Sequence, residues 1–71
     1  MNDKKLLKEF YVVADALDKN IIRFNELEVL LEKAKENNDV ELLTKLLGEY
    51  KIVSNNIKTL REKSEKLKGE N

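Results

Sequence analysis

Residues 24–50 read FNELEVLLEKAKENNDVELLTKLLGEY, and the polar run Asn37-Asn38-Asp39 inside them decides the fold. On both sides of that run apolar residues recur at alternating steps of three and four, the seam pattern of packed helices. Before it come Phe24, Leu27, Leu31 and Ala34; after it come Leu43, Leu46, Tyr50 and Val53. Folding the chain back at the polar run pairs Ala34 with Leu43, Leu31 with Leu46, Leu27 with Tyr50 and Phe24 with Val53. Every pair has the same index sum. The series continue outward at that sum, pairing Asn20 with Ile57, Leu17 with Leu60, Val13 with Ser64 and Phe10 with Leu67. Half the shared sum falls within the polar run, so seam register and turn position, two independent readings, agree.

The expected fold class is therefore all-α: an antiparallel two-helix hairpin, coiled-coil-like, dimerising into a four-helix bundle. Helix 1 is expected over about 3–36, the turn at 37–39, helix 2 over about 39–67, and a frayed tail over 68–71, all within a single domain. Asn2 or Asp3 is expected to accept the free amide hydrogens of the first turn. Asn38, with Glu41 three residues on, has capping-box spacing and is the expected N-cap of helix 2. Asn37 is expected to take the left-handed conformation that closes helix 1. There is no proline, and the only glycines are Gly48 and Gly69, so long helices meet no obvious breaker.

Composition narrows the function classes. The chain has 71 residues, near the size at which one core is only marginally stabilising. Fourteen basic residues balance fourteen acidic ones, which gives no general attraction for nucleic acid or membrane. No cysteine means no disulfide and no thiolate metal site, and a cytoplasmic location is expected. Nothing at the N-terminus reads as a signal peptide, and no apolar run is long enough for a membrane span. Histidine is also absent, and Ser54 and Ser64 have no imidazole to activate them. The carboxylates are spread among basic neighbours, Asp15 and Asp18 included, and read as solvated charge. Neither an enzyme nor a cofactor or metal is expected.

More apolar surface is present than a hairpin seam needs. Plotted at 100° per residue, Leu7, Tyr11, Ala14, Ile21, Ile22 and Val29 extend the apolar stripe of helix 1 to one side of the seam. Helix 2 presents Val40 and Leu47 on that side, and Gly48 beside Leu47 removes a side chain there. Leu7, Tyr11, Ala14, Ile21, Ile22, Val29, Leu47 and Gly48 are thus the candidate interface, for a second copy or for another protein. Val12, Ala16, Leu30, Leu42 and Ile52 lie toward the opposite edge, where they are expected to widen the core.

Asn20 interrupts the apolar seam, level with Asn55 and Asn56. A buried asparagine costs stability unless its amide is paired, and its best-attested use is to fix register or oligomeric state. Asn20 and Asn56 are the expected register-setting pair, with Asn55 the alternative partner. Lys4, Lys5, Lys8, Lys58 and Arg61 gather at the end holding both termini and are the candidate contacts for a nucleic acid, although acidic residues sit among them.

In size and topology the expected hairpin resembles plasmid copy-number regulators of the Rop type, dimeric helical hairpins that bind RNA loops. That likeness carries no motif, so no RNA-contacting residue transfers. The stretch from Asn38 to Tyr50 resembles the short two-helix aspartyl-phosphate phosphatases that regulate sporulation. Their Ser-Gln-Glu-Leu-Asp would fall at Thr44-Lys45-Leu46-Leu47-Gly48, where none of the polar residues match, and the activity is not carried over. The expected function is a small non-enzymatic interaction module, an adaptor, inhibitor or regulator of phage or mobile-element type, that self-associates and binds another protein. The alternatives are a Rop-like nucleic-acid binder using the basic end and a structural subunit of a larger assembly.

Overall fold

A computed structural model describes residues 2–69, with backbone alone for residues 2 and 3, and contains two helices: α1 over Asn2–Glu36 and α2 over Val40–Gly69. Among the described residues there is no strand. One continuous helix of this length would extend about 100 Å. The Cα extents are instead 55 × 14 × 13 Å, so the chain doubles back as an antiparallel hairpin. Neither helix is long and apolar enough to cross a membrane.

None of the sixteen seam residues is exposed, so both heptad series lie on the covered faces of the two helices. Val13, Leu27, Ala34, Leu46 and Val53 are buried, and Leu27 reaches 0% exposure. Four of these five form one cluster on the turn side of the molecule, covered by Phe24, Leu31, Leu43, Tyr50 and Ile57. The rings of Phe24 and Tyr50 lie 4.7 Å apart between centroids, tilted by 30°, bridging adjacent layers of the seam.

The turn differs by one residue from the expected assignment. Asn38, not Asn37, is left-handed, with φ of 55°. The Asp39 amide donates to the Ala34 carbonyl at 3.0 Å and the Asn38 amide to Lys35 at 3.1 Å. These two bonds make a Schellman closure, which needs its left-handed residue at position 38. Asn38 is then unavailable as N-cap. Asp39 takes that role, accepting the Leu42 amide on Oδ1 at 3.1 Å, while its carbonyl accepts from Leu43. One residue thus ends the closure of α1 and caps α2. Lys68 and Gly69, expected in a frayed tail, are the last residues of α2; the rest of that tail lies outside the described residues, as do the side chains of Asn2 and Asp3 expected to cap α1.

A second correction concerns the edge expected to widen the core. Val12 and Ile52 are 63% and 62% exposed, and Leu30 and Leu42 are only partly covered. Only Ala16 is half-buried. A two-helix pair has no third layer for residues that far around the helix from the seam, so they stay in solvent.

Candidate interaction surface

The two flanks of the hairpin are chemically unlike. On one, Arg23 grips Glu49 across the helices with a bidentate pair, Nε to Oε2 at 2.6 Å and the second guanidinium nitrogen to Oε1 at 2.8 Å. Asn56 Nδ2 also reaches Asn20 Oδ1 on this flank, at a long 3.4 Å. Arg23 holds the Glu49 carboxyl below the usual carboxylate range through these hydrogen bonds, which outweigh the opposing desolvation. The Arg23 guanidinium is correspondingly pushed above its ordinary value, mainly by its hydrogen bond to Glu49. The opposite flank has no hydrogen bond or ion pair between the helices among the described residues.

That second flank carries most of the candidate interface. Tyr11, Ile22 and Val29 are 63%, 62% and 56% exposed, and Leu7, Leu47 and Val40 are exposed as well. Ala14 and Ile21 are half-buried and join this stripe to the seam. Ile21 also lines an open groove between the helices with Phe24 and Ile57, which polar Asn25, Ser54 and Arg61 edge. Helical spacing explains the arrangement: from Leu7 to Val29 these α1 residues fall within an arc of roughly 100°. Gly48 is exposed, and a Cβ added to it would meet nothing within 4 Å. Close packing inside the hairpin is therefore not its reason.

Asn20 is half-buried, and its Nδ2 donates to the Ala16 carbonyl of its own helix at 2.8 Å. Its amide is satisfied first locally and only weakly across the seam. Of the two asparagines considered as its partner, Asn56 is the one in reach.

The basic candidates are not brought together. Lys5 and Lys8 line one groove with Glu9, Val12 and Lys63, whereas Lys58 and Arg61 line the other with Glu62. Lys4 is exposed and forms no part of either groove. Each cluster has its own carboxylate, which dilutes any field toward phosphate. Among the described residues no group of three or more acidic side chains is placed to hold a metal ion.

The Arg23–Glu49 pair is the element that sequence reasoning missed. Both residues sit just before a seam position on facing helices, and opposite charges at such edges are a readable signal. Comparisons with known protein families, with curated proteins and with solved structures find no match to this chain.

Proposed function

We propose that this chain is a non-enzymatic protein–protein interaction module: a helical hairpin that self-associates through its apolar flank, completes a four-helix bundle, and presents a helix face to another protein as an adaptor, inhibitor or regulator in the cytoplasm. The observation that carries this reading is the apolar stripe Leu7–Tyr11–Ile22–Val29 standing in solvent on a flank without polar links between the helices. An exposed apolar stripe of this extent on so small a chain favours an interaction site.

Size supports the same reading. A compact protein of 8.3 kDa exposes about 4,600 Å² by the usual scaling, whereas this hairpin exposes 5964 Å². With five buried core residues among those described, the isolated hairpin has little apolar burial to offset the entropy of ordering two long helices. Association supplies the missing burial, and stability then rises with protein concentration.

Sedimentation equilibrium on the purified chain tests the proposal. The native sequence is expected to be a dimer, and Ile22→Asp is expected to shift it toward monomer while helicity persists at high concentration. A monodisperse native monomer across the whole concentration range overturns the reading. An unchanged mass for Ile22→Asp shows that the wrong face has been chosen.

A further inference from the structure

The α1 stripe is not uniformly apolar, and its interruptions carry information. Asp18 and Asn25 lie within the same arc as Tyr11, Ile22 and Val29, and both are exposed. A partner that covers this stripe has to meet a carboxylate and a carboxamide at fixed places. A second copy of α1, laid antiparallel, does so in one register.

We propose that the interaction flank is closed by a second copy of this chain, with the two α1 helices antiparallel about a two-fold axis between Ile21 and Ile22. In this register Ile21 faces Ile22 of the second copy, Ala14 faces Val29, and Asp18 faces Asn25. Tyr11 then faces Glu32, its hydroxyl within reach of the carboxylate. Every pair again shares one index sum, and each is made twice because the contact is isologous. Leu7, which comes opposite Glu36, has an apolar neighbour as well. The hairpin register sets Val40 of α2 level with Asn37, and so places it beside Leu7 of the second copy.

Neighbouring registers fail on Asp18. Sliding one helix by a heptad in one direction sets Asp18 against itself; in the other it sets Asp18 against Glu32 and Ala14 against Glu36. Slides of three or four residues press the carboxylate onto Ile21, Ile22 or Val29, or set it against Glu28. A parallel pairing also confronts Asp18 with Asp18. Burying like charges or an unpaired carboxylate is unfavourable, so one residue selects one register.

The available area is sufficient. The excess of exposed surface over a compact chain, about 1,400 Å², exceeds the roughly 800 Å² that each partner contributes to a standard interface. The register also matches strength to weakness, because the well-packed turn side of each copy covers the terminal side of the other.

This inference rests on the self-association proposed above, and sedimentation equilibrium separates the two. Asn25→Lys sets an ammonium opposite Asp18 at two places and is expected to tighten dimerisation by up to about tenfold. Asn25→Asp sets two carboxylates together and is expected to weaken it by a similar factor. Cysteine is absent from the chain. Ala14→Cys mixed with Val29→Cys should therefore give a mixed disulfide under mild oxidation, in preference to either variant linked to itself. A dimer indifferent to charge at position 25, without the mixed disulfide, overturns this register and leaves self-association standing. A native monomer overturns both.

Discussion

The turn-side half of the hairpin and the half that holds both termini have the same seam spacing and different interiors. Toward the turn, Leu27, Ala34, Leu46 and Val53 are buried together and Phe24 packs on Tyr50. Toward the termini, Val13 is the one buried residue among those described. Asn20 marks the boundary between them. On the ion-paired flank Arg23 and Glu49 lock the turn side, whereas Glu9 and Lys63, at the corresponding edge near the termini, form no ion pair. Spacing therefore sets which residues meet, and side-chain identity sets how much they hold. Helix ends distant from the turn also bear a larger closure entropy, which a weak seam offsets poorly.

Truncating one seam leucine in each half gives the largest expected difference between them. Leu27→Ala removes a side chain with no solvent access and is expected to cost about 2–5 kcal/mol. Leu17→Ala, at a half-buried seam position on the terminal side, is expected to cost roughly 1–2 kcal/mol. Urea denaturation followed by circular dichroism at fixed protein concentration measures both. Equal losses would mean that the two halves are equally well packed, and the comparison would fail.

What was legible in the sequence divides along the same physical lines. The seam was readable because helical periodicity and an index sum are global constraints, satisfied by many residues at once. The cap was misplaced by one residue because Asn37, Asn38 and Asp39 are all competent turn residues. Which of them caps α2 is fixed by two backbone bonds that close α1, from Asn38 and Asp39. Val12 and Ile52 were misread because apolar residues near a seam need a third layer to become core, and a lone hairpin has none. The Arg23–Glu49 pair was hidden among 28 charged residues that mostly face water. The apolar flank was visible as an angular excess, but its occupant depends on a partner surface that periodicity within one helix does not describe.

Asn20 gives a smaller and sharper test. Leucine there would extend the turn-side packing across the boundary and remove a half-buried amide from the seam. Its Ala16 carbonyl acceptor remains inside α1, and Asn56 is exposed enough to be hydrated. Asn20→Leu is expected to raise the melting temperature by about 4–8 °C, corresponding to roughly 1 kcal/mol for a domain of this size. The register constraint is lost with the amide, so the oligomeric state should become mixed in sedimentation. A lower melting temperature would show that the amide contributes more to the boundary than it costs.

The ion pair on the turn side provides the smallest effect and the one with a defined pH signature. Arg23 hydrogen bonds lower the folded-state pKa of Glu49, so the folded chain binds the Glu49 proton less readily than the unfolded chain does. The resulting stabilisation is complete above the ordinary carboxylate range, about pH 4–4.5, and is lost as pH falls through the lowered folded-state value. Both side chains are about two-fifths exposed, at 40% and 41%, so water and salt screen the pair and its contribution is modest. Glu49→Gln preserves the shape and one hydrogen-bond acceptor while removing the charge. The only anionic contact left to Arg23 is then the looser one to Glu26 at 3.8 Å. The variant should be slightly less stable than the native chain near neutral pH, with the two converging as acid protonates Glu49. Added salt should narrow the neutral-pH gap in the same direction. A gap that persists at pH 2 would mean that Glu49 acts through packing, and the lock on the turn side would then be steric rather than electrostatic.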